Sequence, residues 1–347
     1  MNKQVQTGGD HSTNIQAGQV SINQGISYEE ARQIFKDLFK ANYLQLSEEA
    51  FEKAFARLEE ITEKFLKKLR EQNEGGIERA RDPDFQYALF TVQKEYARTG
   101  DKELGDLLVD LLVDRTKYEN RSILEIVLTE SLSVAPKLTN DQLAALSVIF
   151  IFKYTLNQKV NSLQTLGEYL DIYIAPFAEV ISKNNSCFQH LEYSGCGSIS
   201  IGSDDLAGIL LKKYGGLFSK GFFQDDINNQ NLVLPMASSL IVRCLHDPGK
   251  LQINAIREDV LREEATKENM DKDDVEKLVQ LNNSFAMNRD EVRHYIEDFR
   301  PYMKNIFDVW INSFMKNMKL TSVGIAIGHA NAKKMIGEFT DLSIWIN

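Results

Sequence analysis

The sequence LAALSVIFIF, residues 143–152, is the longest apolar cluster in the chain. It follows Thr139-Asn-Asp-Gln142, a capping box of the kind that opens a helix. The cluster is about half as long as a segment that crosses a bilayer. We therefore predict a buried helix over residues 140–156 that forms a central core element, and no membrane span.

Helix signals continue on both sides of this central segment. Upstream, Ser27-Tyr-Glu-Glu30 is another capping box, and Asp82-Pro83 places a cap residue before a proline in the first helical turn. Downstream, Ser203-Asp-Asp-Leu206 and Asn288-Arg-Asp-Glu291 are further helix starts. Apolar residues recur at helical spacing after each start, which predicts a mainly α multi-helix body.

A few stretches do not fit the helical pattern. Residues 184–202 are rich in glycine, and Ser198-Ile-Ser-Ile201 alternates like a strand, so we predict a loop with one short strand or hairpin. We expect a helix from Pro235 to about Leu245 and a turn at Asp247-Pro-Gly249. Asp341 to Ile346 is predicted to close the chain as a strand after a helix. Such an ending resembles that of some winged-helix domains.

The predicted organisation has three parts. Residues 1–26 form a short β-rich assembly arm, residues 27–135 an N-terminal helical domain, and residues 136–347 a C-terminal helical domain with minor β structure. The fold class is mainly α, with a short N-terminal β arm, a multi-helix body and small β elements near 196–202 and at the C-terminal strand. Two domains are an ordinary expectation for a chain of 347 residues.

The arm differs from the body in composition. Residues 4–26 contain no Lys, Arg or Glu, and Asp10 is their only acid. Polar and isolated apolar residues alternate with a period of two, which predicts strands at 11–17 and 20–23 around a turn at Gly18. Two short strands alone are marginal in water, so their edges need partners. The residues predicted to make the assembly contacts are Ser12, Thr13, Asn14, Ile15, Gln16, Ala17, Gly18, Val20 and Ile22.

Two resemblances concern this arm. Ile15-Gln16-Ala17-Gly18 is similar to the Ile/Val-Gln-x-Gly core of the RIP homotypic interaction motif, an amyloid-forming signalling element. The string from Gly9 to Gly18 also resembles N-terminal motifs of bacterial proteins, some of them linked to phage defence. The resemblances imply self-association in antiphage or conflict biology. Three interpretations stay open from the residues: an edge-pairing or unstructured tail, an ordered homo-oligomeric β assembly, and a fibre-forming signal.

Composition limits the classes of function. The net charge of −10 argues against broad binding to nucleic acid or anionic lipid. The N-terminus has no apolar signal region, and three cysteines in a long chain fit a reducing compartment, so we predict a cytoplasmic protein. Cys187, His190 and Cys196 superficially suggest a metal, but a structural zinc site needs a fourth ligand. We expect buried thiols, no metal and no cofactor.

Catalytic motifs give no specific signal. The sequence has no phosphate-binding loop, no H-E-x-x-H and no G-x-S-x-G. Acidic pairs occur at Asp204-Asp205, Asp225-Asp226 and Asp273-Asp274, but adjacent residues of a helix do not face each other. Asp106, Asp110 and Asp114 recur every four residues, which is more typical of a solvated helix face than of a cation site.

These observations favour a non-enzymatic interaction or signalling protein that assembles through its N-terminal arm. Its expected partners are other copies of itself, with a further protein as a second candidate. A candidate partner surface lies in the glycine- and aromatic-rich segment, at Leu217, Phe218, Phe222 and Phe223, with packing beneath the helices as the alternative. One alternative is a nucleic-acid-binding regulator that uses its winged-helix-like C-terminal region, with Lys316, Lys319, Lys333 and Lys334. The other is an enzyme with a non-contiguous acidic site.

Overall fold

The computed structural model describes residues 26–42, 47–118, 121–235, 238–337 and 339–346, and these form a mainly α fold. The first helices are α1 (Tyr28–Asn42), α2 (Glu48–Gln72), α3 (Pro83–Thr99), α4 (Lys102–Arg115) and α5 (Ile123–Val134). They are followed by α6 (Asn140–Ile149), α7 (Leu163–Tyr173), α8 (Ala175–Ala178), α9 (Asn185–Tyr193), α10 (Leu206–Tyr214) and α11 (Gln224–Asn229). The last are α12 (Glu258–Lys267), α13 (Lys272–Ser284), α14 (Arg289–Phe299), α15 (Met303–Asn312) and α16 (Ser322–Ile336).

Within the described residues, two small antiparallel sheets accompany the helices. Their strands are β1 (Gly197–Ile199), β2 (Ile241–Arg243), β3 (Leu251–Ile253) and β4 (Met318–Leu320). Strand β1 pairs with β4, so Gly197 lies opposite Leu320, and β2 pairs with β3. The predicted strand near 196–202 is therefore confirmed, with a partner far away in sequence.

Several predicted helix starts are confirmed by their hydrogen bonds. The Asp82 carboxylate accepts from the backbone N–H of Asp84 at 2.9 Å, one residue after the proline that begins α3. The capping box at Asn288 is complete, with distances of 2.7 and 2.9 Å between its side chains and backbone N–H groups. These side chains satisfy N–H groups that have no partner within the helix.

The central helix is confirmed as a core element. Residues 143–152 are all buried, and α16 packs along α6. A Cβ on Gly328 would lie 2.8 Å from the carbonyl oxygen of Leu146, so glycine permits this close approach. Asn331 donates from Nδ2 to the Ser147 hydroxyl at 2.9 Å, which satisfies polar groups inside the contact.

Helix α16 also packs against α4 and α5. One hydrophobic core therefore continues from Ile26 to Ile346, across the predicted boundary at 135/136. A second, smaller core lies between Phe222 and Leu281. The division of the body into domains 27–135 and 136–347 stays a prediction.

Three local predictions are wrong. The expected helix from Pro235 to Leu245 contains β2, because the β-branched pair Ile241-Val242 pairs with β3 around the confirmed turn at Asp247. The stretch 184–202 contains helix α9, which begins where the Asn184 side chain accepts from Ser186 N at 3.0 Å.

The third error is the terminal strand. Residues Leu342–Ile344 form a 3₁₀ turn instead. Asp341 starts this turn, because its carboxylate accepts from the N–H of Ser343 at 3.0 Å and from its hydroxyl at 2.6 Å. The ending therefore lacks the strand on which the winged-helix resemblance depends. No helix within the described ranges is both long and apolar enough to cross a membrane.

Candidate functional site

Helix α6 ends in an unusual way. Its last turn continues as a π-helical turn, Phe150–Tyr154, in which Phe150, Ile151 and Phe152 are buried. Such turns are rare and occur frequently at functional sites. The turn carries Lys153 and Tyr154 to the boundary between the core and the surface.

Lys213 of α10 caps this turn. Its Nζ donates to the carbonyl oxygen of Phe152 at 2.5 Å and to that of Thr155. Carbonyl groups at a helix end lack partners within the helix, and a cation there is favourable. Burial lowers the pKa of Lys213 to about 8.

Lys153 is a second buried cation beside the same turn. Its Nζ donates to the carbonyl oxygens of Lys316 at 2.9 Å and Met318 at 3.0 Å, and it pairs with Asp204 at 2.9 Å. The ammonium lies 5.4 Å from the ring centroid of Trp310. Burial lowers the pKa of Lys153, and the ion pair with Asp204 opposes that shift.

A cationic cleft of about 500 Å³ opens next to these lysines. Its charged lining residues are Lys153, Lys212, Lys213, Arg257 and Asp204. The lining therefore has a local excess of positive charge in a chain whose net charge is −10. Such a local excess attracts anions.

An aromatic cleft of about 660 Å³ adjoins the cationic cleft. Its aromatic lining residues are Tyr154, Tyr169, Tyr173, Phe339 and Trp345. Both clefts share the lining segment 154–156, so they lie on either side of the same short stretch of chain.

Hydrogen bonds hold the segment between the clefts in place. Trp345 donates from Nε1 to the carbonyl oxygen of Tyr154 at 2.8 Å. The Tyr154 hydroxyl accepts from the N–H of Leu320 at 2.8 Å, and the Tyr214 hydroxyl accepts from the N–H of Asn157 at 3.1 Å. Three hydrogen bonds from different parts of the chain thus fix the segment that lies between the two clefts. Their cations suit an anion, and their rings suit a flat apolar group.

The predicted assembly residues between Ser12 and Ile22 lie outside the described residues. The structure describes the point at which the arm joins the body. Ile26 is buried in the main core, and Ser27 begins α1 through its hydrogen bonds with Glu30 at 2.8 to 3.2 Å. The arm is therefore connected to a fixed position of the body.

The candidate partner surface is largely internal. Leu217, Phe218 and Phe222 are buried, which fits the alternative of packing beneath the helices. Phe223 is 58% exposed, so this one side chain remains available to a partner.

The cysteines are buried as free thiols. Burial raises the pKa of Cys187 and that of Cys196 to about 12, which keeps both thiols protonated at neutral pH. His190 interacts through Nδ1 with the Gln142 amide at 2.9 Å, and His246 Nε2 lies 2.7 Å from the carbonyl oxygen of Leu217. In the described part of the chain, no three His, Cys, Asp or Glu side chains gather as metal ligands.

The acidic pairs are used within the structure. Asp205 caps α10 by accepting from the N–H of Gly208 at 2.6 Å, as predicted for this helix start. Asp226 accepts from the N–H of Phe223 at 2.8 Å. Asp274 pairs with Lys277 at 2.7 Å. Of the three pairs, the first contributes a residue, Asp204, to the cationic cleft.

The row of aspartates on α4 is not a solvated face, so that interpretation is wrong. Asp106 pairs with Lys64, and Asp110 is buried and pairs with Lys68 of α2. Burial raises the pKa of Asp110, and Lys68 only partly opposes this shift. Asp114 is buried beside Lys333 of α16. The row thus joins α4 to two other helices.

The C-terminal lysines of the nucleic-acid alternative are mostly occupied. Lys333 pairs with Asp114 at 3.1 Å, and Lys334 donates to the carbonyl oxygen of Glu103 at 3.3 Å. Lys316 donates to the carbonyl oxygen of Ile311 at 2.7 Å, whereas Lys319 is exposed.

Sequence reasoning missed the cleft. Lys153 follows the apolar cluster directly, and a lysine at the end of such a cluster was the one local signal. The approach of Lys213 and Arg257 depends on tertiary packing.

Comparison with protein families gives a match to the body of the chain. The model of the ":-like" protein family matches residues 25–346. Neither a curated protein nor a solved structure shows significant similarity. The match covers the helical body and begins directly before Ile26. Over residues 25–346, the chain belongs to the family described as ":-like".

Proposed function

We propose that the chain is an interaction protein that assembles with other copies of itself through its N-terminal β arm, residues 1–26. In this proposal the helical body is the part that carries the signal. The assembly is non-enzymatic and acts in the cytoplasm. The resemblance of the arm to bacterial motifs linked to phage defence suggests that setting.

One observation carries the proposal: an arm of alternating sequence with almost no charge is attached to a body at a fixed point. Ile26 is 7% exposed and packs in the core, and Ser27 caps α1. A partner bound at Ile15 would therefore lie within about 40 Å of Ile26, because eleven residues separate the two positions and each residue of an extended chain spans at most about 3.6 Å.

The extent of the family match supports treating arm and body as separate modules. The match spans residues 25–346, and the alternating segment precedes it. A family body preceded by a segment outside the match fits a division of labour between assembly and signalling.

Charge also supports the arm as the contact between copies. Bodies with the net charge of this chain repel each other, whereas residues 4–26 carry almost no charge. Added salt screens the repulsion between bodies and leaves contacts between uncharged strands almost unchanged. We therefore expect assembly to strengthen from low to moderate salt.

Substitution in the arm tests the proposal. Ile15→Asp places a charge among predicted strand contacts, where burial of an unpaired charge is costly. Val5→Asp is the matched control, because it adds the same charge outside the two predicted strands at 11–17 and 20–23. Multi-angle light scattering should show an oligomer for the wild type and for Val5→Asp, and a smaller species for Ile15→Asp. An unchanged mass for Ile15→Asp would contradict a role of Ile15 in the interface.

A further inference from the structure

We propose that the cationic and aromatic clefts form one binding site for a small molecule that carries both a phosphate group and an aromatic ring, of the nucleotide class. This inference goes beyond assembly, and it stands on contacts of the body alone. The two clefts meet at residues 154–156, so one ligand can reach both.

The cationic cleft provides the phosphate half of the site. Lys212 is exposed and makes no hydrogen bond or ion pair with the residues that the structure describes. Arg257 is held in position by two hydrogen bonds of 2.9 Å to Asp259. Lys153 and Lys213 also line this cleft, and their hydrogen bonds go to carbonyl oxygens of the protein. Asp204 offsets the charge of Lys153, whereas the ammonium group of Lys213 adds to the positive field. Cations arranged in this way are suited to phosphate oxygens.

The aromatic cleft provides the ring half. Tyr173 and Trp345 are half-buried, and each packs against Phe339, with ring centroids 6.0 Å apart in both pairs. Half-buried rings present a face or an edge to a flat ligand at little cost in side-chain entropy. Aromatic side chains of this kind are the usual platform for nucleobases.

Size and position favour a nucleotide over its separate parts. Each cleft falls in the range of about 300–1,000 Å³ that small-molecule sites occupy. Leu156, which lines both clefts, is 40% exposed and lies on the rim between them. A ligand that crosses this rim would cover an apolar side chain that is otherwise open to water.

Direct binding to the full chain tests the proposal. The probes are ATP, inorganic pyrophosphate and adenosine, each titrated without divalent cations and followed by calorimetry. We expect ATP to bind at least tenfold more tightly than either fragment. Equal binding of pyrophosphate and ATP would overturn the proposal, because the aromatic cleft would then contribute nothing. Absence of ATP binding would also overturn it.

The tryptophans report where the ligand binds. The chain has two: Trp345 lines the aromatic cleft, and Trp310 is buried with its ring centroid 5.4 Å from the Nζ atom of Lys153, which lines the cationic cleft. ATP should change their fluorescence with the same affinity that calorimetry gives. Binding without any change in fluorescence would place ATP elsewhere and overturn the assignment.

A matched pair of lysine variants completes the test. Lys212→Ala removes an exposed cation of the cleft, and we expect about tenfold weaker ATP binding. Lys304→Ala is the control, because Lys304 is also exposed and lines neither cleft. Equal affinity of the two variants for ATP would overturn the role of Lys212. Circular dichroism of both variants checks that the fold is intact.

Discussion

The Nζ atom of Lys213 lies 2.5 Å from the carbonyl oxygen of Phe152, so a side chain of α10 caps the π-helical turn at the end of α6. The same ammonium donates to Thr155. This contact joins the central helix to the wall of the cationic cleft. Lys213 therefore stabilises the π-helical turn and also contributes to the electrostatic field of the cleft.

Lys213→Met should destabilise the protein. It leaves the carbonyl oxygens of Phe152 and Thr155 without their donor, and each unsatisfied buried group costs about 1–3 kcal/mol. The variant no longer has to bury the ammonium group, which offsets part of this cost. We therefore expect a loss of about 2 kcal/mol in the free energy of unfolding. Urea denaturation at pH 7 measures it. Lys212→Met, the exposed neighbour on α10, should stay within about 0.5 kcal/mol of the wild type. Similar losses for both variants would contradict the cap.

The stability contributed by Lys213 should depend on pH. Burial lowers its pKa from an ordinary value of 10.5 to about 8, so the folded state binds fewer protons than the unfolded state between these values. Stability from this shift is present in full above pH 10.5 and is lost as the pH falls through 8. The difference in unfolding free energy between wild type and Lys213→Met should therefore rise from pH 8 to pH 10, by at most about 1.4 kcal/mol per pH unit. Urea denaturation at several pH values checks this. A difference that stays constant would contradict the lowered pKa.

Arg115→Met should be among the most damaging substitutions in the N-terminal helices. The Arg115 side chain is 1% exposed, donates to the Thr129 hydroxyl at 2.8 Å, and pairs with Asp84 and with Glu125, which is 5% exposed. Loss of the guanidinium leaves a buried carboxylate unpaired, which costs about 3–5 kcal/mol.

The control for Arg115 is Arg98→Met. Arg98 pairs with Glu95 at 2.7 Å on the surface, where an ion pair contributes about 0–1 kcal/mol. Thermal and urea denaturation should separate the two variants clearly. A loss below about 1 kcal/mol for Arg115→Met would show that the buried cluster is less important than its contacts indicate.

Gly216→Ala should disturb the contact between α10 and the second core. A Cβ at this position would lie 1.9 Å from the carbonyl oxygen of Ala255, which is backbone and has little room to move. We expect a loss of about 3 kcal/mol or failure to fold. Gly215→Ala is the control one residue away, since nothing lies within 4 Å of its added Cβ, and its stability should change little. Equal stability of the two variants would contradict the close approach.

Local signals in the sequence predicted the helices well. Asp82 and Asn288 start helices through side-chain contacts with backbone N–H groups two or three residues further along the chain. The sequence near each cap therefore contains both partners of the hydrogen bond. The apolar cluster 143–152 is central because every face of it is apolar.

Contacts between distant segments explain the errors. The strand at Gly197 was predicted, but its partner at Leu320 is far away in sequence. Asp110 has the spacing of a surface residue, and only the packing of α2 and α16 on α4 shows that it is buried. The cleft could not be predicted for the same reason. Apart from the position of Lys153 directly after the apolar cluster, nothing in the local sequence distinguishes Lys153 or Lys213 from other lysines, and only tertiary packing brings them together.

Assembly by the arm is the central claim, and removal of the arm tests it most directly. The shortened chain should start at Ile26, because this residue belongs to the core. Light scattering should show several copies for the full chain and a folded monomer for the shortened chain. The same mass per particle for both chains would contradict the claim.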